Sequence, residues 1–267
     1  MGAHPGRRAS LLRRIVSRAL NPPELTLLAL ATFAGATLQS ATGFGYALLA
    51  GPATFAAADP AEAITILLAL GTVLNILIMA GERRESSIRT TELAPILAWA
   101  VPGVVAGIFI LLALSKSTLQ VIVGVCVIVA VGVQVHRGRS NRRNTTAAAQ
   151  AVAGLAAGTL TTTTATAGPP LVLLLERAGA TPEEFRDTMA ALLLGLNILG
   201  AIALVVAGDR AELPEAGILA LLVAAIVLGR SIGRLVFDRF DAESFRLAGL
   251  GLIVASGLGS IAAGILG

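Results

Sequence analysis

Between Leu25 and Ala58 the chain runs for 34 residues without a charge. A membrane crossing takes about 20 helical residues at ~1.5 Å each, so one straight helix cannot accommodate this run. The helix must break inside it. The place is marked by Gln39-Ser40-Ala41-Thr42-Gly43-Phe44-Gly45 and, shortly after, Gly51-Pro52. Glycine tolerates positive φ and proline has no backbone N–H to donate, so both end regular helix. Backbone broken at membrane depth persists only where it is buried in protein or lines a wet cavity, because each unpaired amide or carbonyl in lipid is costly. The break is therefore a candidate binding site.

The same design returns in the second half. Gly154 and Gly158 lead through Thr159 and Thr161-Thr162-Thr163-Thr164-Ala165-Thr166-Ala167 to Gly168-Pro169-Pro170 and an apolar Leu171–Leu175. Downstream, Gly71 to Leu77 is echoed by Gly195-Leu196-Asn197-Ile198-Leu199, and Gly103 and Gly107 by Gly229 and Gly233. This pattern predicts an internal duplication of about half the chain. Paired apolar segments interrupted by glycine and proline at corresponding places in two halves point to a secondary transporter's binding site.

The class follows from the composition, since 55% hydrophobic and 13% charged residues lie far from the roughly 25% charged of a soluble domain. Long Ala/Leu/Val/Ile/Gly runs without period-two alternation predict an all-α polytopic membrane protein and exclude a β-barrel. Apolar segments fall at 25–58, 63–80, 93–114, 118–135, 147–175, 188–207, 215–237 and 247–266. That makes about eight segments in two four-segment repeats, each opening on a broken segment. The expected organisation is a basic amphipathic stretch at 1–21, a first transmembrane repeat at 22–135, a basic linker at 136–146 and a second repeat at 147–267.

The net charge of +4 does not imply a nucleic-acid partner, because the arginines sit at the amino terminus and between apolar segments, as topology signals do. The partners expected are a small anion and the lipid bilayer. If all eight segments cross with the amino terminus inside, seven of the twenty basic residues lie outside; if the Thr-rich fifth segment turns back, only two do. The charge rule favours the second arrangement, with a cytoplasmic amino terminus in the cell membrane. Inverted repeats would require each repeat to cross an odd number of times, which this arrangement does not give.

The candidate substrate-binding residues are those polar or glycine positions that coincide with the breaks: Gln39, Ser40, Thr42, Gly43 and Gly45 in the first, and Thr161, Thr162, Thr163, Thr164 and Gly168 in the second. Hydroxyls and amides there would donate to an anion, and a half-helix starting after each break would add free N–H groups and the positive dipole end. Small polar side chains also pack between helices and cap breaks, which is the competing structural reading. Asn75 and Asn197, at matching positions, are either ligands or interhelical partners. Arg230 and Arg234 read as residues reaching the headgroup interface, and the Gly103/Gly107 and Gly229/Gly233 pairs as close helix contacts. His4 and His136 lie outside the apolar segments, no acid lies mid-segment, and Cys126 is the single cysteine. No catalytic set, metal site, cofactor or disulfide is expected, so the chain does not read as an enzyme.

At these residues the sequence resembles the TauE/SafE family of membrane transporters, the sulfite exporters. The likeness rests on Ala34-Gly35 leading through Thr42-Gly43-Phe44-Gly45 to Pro52, on its twin from Gly154 to Gly168-Pro169-Pro170, and on the duplicated layout. It departs at Tyr46-Ala47-Leu48, where the family has a glycine cluster, and in the Thr-rich second break. The resemblance implies an eight-segment carrier of sulfite, sulfonates or other small organic anions with its site between the repeats. The expected function is thus export of sulfite or an organosulfonate by alternating access. A small-carboxylate uptake permease and a non-transporting membrane scaffold are the alternatives.

Overall fold

The computed structural model describes residues 21–81, 87–135, 145–208, 213–239 and most of 254–265. The basic amino-terminal stretch, apart from Asn21, and linker positions 136–144 lie outside the described residues. Nine helices are described: α1 (Pro22–Thr42), α2 (Tyr46–Ala57), α3 (Pro60–Ala80), α4 (Thr90–Ala113), α5 (Lys116–Val135), α6 (Ala147–Thr164), α7 (Gly168–Arg177), α8 (Pro182–Val206) and α9 (Ala216–Arg239). Five of them, α1, α3, α4, α8 and the Ala216–Leu235 part of α9, are long and apolar enough to cross a membrane.

Both interrupted segments are two helices each, and both fold back on themselves. In the first, α1 ends at Gly43 (φ 90°) and α2 starts from Gly45 (φ 116°), both left-handed backbone that glycine adopts without strain. The arms then pack side by side, so closely that a β-carbon on Gly35 of α1 would lie 2.7 Å from the Tyr46 carbonyl oxygen. In the second, α6 ends at Ala165, again left-handed with φ 56°. The returning α7 reaches the start of α4, where the Ala178 carbonyl accepts from the Arg89 guanidinium at 3.3 Å. Pro52, expected to mark the break, instead sits inside α2; the two glycines have already ended the preceding helix.

The most extensive contacts join distant parts of the chain: α4 with α6, and α1 with α9. A β-carbon on Gly103 would lie 2.3 Å from the Leu155 carbonyl oxygen, and one on Gly107 would lie 2.5 Å from that of Thr159. On the other side, Gly229 approaches the Phe33 carbonyl (2.4 Å) and Gly233 that of Thr37 (2.4 Å). Ascending numbers on both members make each pair parallel, and the absent side chains let the backbones meet. Between them α3 and α8 cross antiparallel, with Gly71 against Asn197 and Leu68 against Gly200. It follows that the two hairpins enter the molecule from opposite ends.

Buried Phe55, Ile64, Leu67, Leu74, Leu171 and Met189 form the core around this crossing. Trp99, Phe109, Leu112, Ile202, Val205 and Leu228 stand exposed on α4, α8 and α9, as expected of a surface solvated by lipid. After α9, Ser260 donates to the Gln120 carbonyl at 2.9 Å and Gly264 packs against Ser117, which lays this last stretch antiparallel to α5.

Candidate functional site

The two hairpin tips meet. Phe44 at the first tip touches Gly168, the first residue of α7, and packs edge-on against Phe185 of α8, with ring centroids 6.2 Å apart at 74°. Between the tips and the α3/α8 crossing lies a cavity of about 30 Å³, more than the least space that holds one water. Of the residues singled out from sequence, Gln39, Gly45, Asn75, Gly168 and Asn197 line it. None of its lining residues is charged.

The orientation of the amides decides what this cavity offers. The Tyr46 N–H can only donate, so it holds the Gln39 oxygen towards it at 3.0 Å. The Gln39 nitrogen then faces Asn75, whose oxygen accepts at 2.9 Å, and the Asn75 nitrogen donates to the Gly71 carbonyl at 2.8 Å. A backbone donor at one end and a backbone acceptor at the other leave no freedom to turn either amide. Asn197 obeys the same logic, its nitrogen set towards the Leu193 carbonyl (3.3 Å) and its oxygen towards the Thr72 N–H (3.2 Å). Every amide oxygen is thus met by a donor of the protein, while each nitrogen keeps a second N–H. The amides thus keep donors to spare, and Thr166 adds a hydroxyl that can donate or accept.

The other sequence-selected residues stand outside the cavity lining. Ser40 is buried against α9, where its Cβ lies 2.9 Å from a β-carbon placed on Gly233, and its carbonyl accepts from Arg186 at 3.3 Å. The Thr42 hydroxyl is within 2.9 Å of the Leu38 carbonyl and 2.7 Å of the Phe44 carbonyl, bracing the tip. Gly43 packs on the Arg186 backbone. The threonine run mostly binds its own helix, Thr161 to the Ala157 carbonyl, Thr163 to that of Thr159 and Thr164 to that of Leu160. Thr162 donates across to the Val104 carbonyl of α4 at 3.0 Å. Only Thr166, beyond the helix end and hydrogen-bonded to Thr164, reaches the cavity.

Sequence reasoning passed over Phe44, Tyr46, Gly71 and Leu193, all of which line the cavity. Two of them were within reach: Gly71 and Leu193 precede Asn75 and Asn197 by one helical turn and so share their face. A larger groove of about 570 Å³ lies between the arms of the first hairpin and Gly259. Its wall is apolar Leu27, Leu30, Phe33, Pro52 and Ala53, without a donor set. Arg234, as expected of an interface residue, donates to the Gly81 carbonyl at the end of α3 (3.1 Å).

Five helices long and apolar enough to cross a membrane, arranged around two opposed hairpins whose tips meet at an uncharged cavity, define a multi-pass membrane protein. The family described as Sulfite exporter TauE/SafE matches residues 27–260, nearly the whole chain, and the protein belongs to that family. No curated protein and no solved structure matches the chain.

Proposed function

We propose that this protein is a secondary transporter that carries a small oxyanion, sulfite or an organosulfonate, by alternating access, with the anion held between the two hairpin tips. The observation that carries this reading is the amide chain: the N–H groups left by Gln39, Asn75 and Asn197 only donate, and the charged oxygens of an oxyanion accept. The starts of α2 and α7 lie at the same cavity and add their positive dipole ends. Phe44 meets Gly168 across the tips, so the tips would part to admit or release the ion. That coupling of binding to tip movement is what alternating access needs. Export, rather than uptake, follows from the family. Saturable flux of radiolabelled sulfite in proteoliposomes tests the reading, and its absence at every gradient applied would overturn it.

Two repeats, 22–135 and 147–267 around a linker at 136–146, are supported by an interval of 122 positions, which relates Gly43 to Ala165, Pro60 to Pro182 and Asn75 to Asn197, and which lengthens to 126 at Gly103/Gly229 and Gly107/Gly233. With both first segments folded back, three further helices α3, α4 and α5 follow the first hairpin, so the repeats are of opposite sense. Charge then orients the molecule. Arg89, Arg177, Arg186, Arg230 and Arg234 stand where α3, α7 and α9 finish and α4 and α8 begin, and among the described basic side chains Lys116 stands at the other end. The arginine-rich end is assigned to the cytoplasm. The start of α1 then lies outside, the reverse of the expectation drawn from folding back the fifth segment alone, and the five arginines of residues 1–21 count against this orientation by the same rule. In a Cys126→Ser background, single cysteines replacing Ser140 and Ala242 are expected to react only from the cytoplasmic side and one replacing Ala3 only from outside. Opposite labelling of the first two would reject the arrangement.

Asp59 and Glu62 open α3 at one end of the molecule and do not line the cavity. Proton coupling therefore rests on the substrate's own proton. Asp59→Asn with Glu62→Gln is expected to leave flux driven by a pH gradient largely intact. Loss of that component with exchange preserved would assign the proton to these carboxylates.

A further inference from the structure

We infer that the cavity between the hairpin tips takes a singly charged oxyanion and rejects the doubly charged form. The inference rests on the anion reading above and adds the charge state of the substrate. An ion entering a low-dielectric cavity loses hydration that grows with the square of its charge, whereas its attraction to fixed dipoles grows only in proportion to the charge. Doubling the charge therefore multiplies the cost by four and the dipole gain by two. A dianion needs compensating cations or a denser set of neutral donors, and among the described residues the lining holds no cation and few donors: Gln39, Asn75, Asn197, Thr166, small residues and an apolar remainder. Arg186 is packed against Gly43, outside the lining, with its guanidinium on the Ser40 carbonyl at 3.3 Å. The donors present match one negative charge shared over several oxygens. Bisulfite and alkanesulfonates fit that description, while the sulfite dianion and sulfate do not.

Proteoliposomes containing the full chain test this with three probes. Radiolabelled sulfite flux at fixed total concentration is expected to fall about 10-fold per pH unit above the second ionisation of sulfurous acid, following the bisulfite fraction. Methanesulfonate, a monoanion throughout, should compete equally well at every pH, which separates titration of the substrate from titration of the protein. Sulfate should compete at least about 100-fold more weakly than methanesulfonate. Sulfate competing as well as methanesulfonate, or sulfite flux independent of pH while methanesulfonate competition is also constant, would overturn the inference and leave the anion reading standing. If sulfite does not move and methanesulfonate does not compete for any flux, the anion reading itself fails and this inference with it.

Discussion

Gln39→Glu is expected to reduce anion flux by on the order of 100-fold or more at neutral pH, with folded protein still present in the membrane, because a lone buried charge is strongly unfavourable. The change preserves size, and one carboxylate oxygen can still accept from the Tyr46 N–H. The other oxygen then faces the Asn75 oxygen that Gln39 now satisfies, and the introduced charge has the sign of the substrate. Flux should therefore recover in part towards acidic pH, since the protonated group can again donate to Asn75. A Gln39→Glu variant that transports at the wild-type rate across the pH range would show that the amide chain does not contact substrate. Ser40→Ala, one residue away but buried against α9, is the control expected to leave flux nearly unchanged.

Gly107→Leu is expected to have the largest effect on folding. A β-carbon there would lie 2.1 Å from the Thr162 hydroxyl and 2.5 Å from the Thr159 carbonyl oxygen, so α4 and α6 could not keep their distance. Parting them also breaks the bond from Thr162 to the Val104 carbonyl. Overpacking of a core by methylenes costs about 1–3 kcal/mol, and a clash with backbone exceeds that. The variant should yield no monodisperse protein in detergent or melt well below wild type. Gly217→Leu, where an added β-carbon meets nothing within 4 Å, should behave as wild type. Equal melting of the two variants would mean that the α4/α6 contact is not as described.

The sequence located both breaks because glycine and proline within an uncharged run have few other uses. It also singled out Asn75 and Asn197 by their matched positions, and the cavity joins them to Gln39. What it could not show was the direction of the chain after each break. Whether α2 continues outward or folds back along α1 depends on the approach of Gly35 to Tyr46, a contact that has no signature in local pattern. The threonines of the second break stand apart from the cavity for a physical reason. A hydroxyl within a helix reaches the carbonyl four residues back, and in a water-poor surrounding that bond is taken, as Thr161, Thr163 and Thr164 show. A threonine run reads as a ligand cluster, yet only the residue past the helix end, Thr166, reaches the cavity.

The pairing of α1 with α9 and of α4 with α6 bears on how the chain is made. A ribosome releases α1 into the bilayer long before α9 exists, so the groove that receives Gly229 and Gly233 stays open to lipid for nearly the whole of synthesis. During that interval the buried amide of Gln39 has the Tyr46 N–H and, two helices along, Asn75 as its completed partners. The first half can insert early, but it is closed only when α9 arrives. An assembly of this kind is sensitive to premature termination late in the chain, where the loss of α9 uncovers the hairpin that was built first.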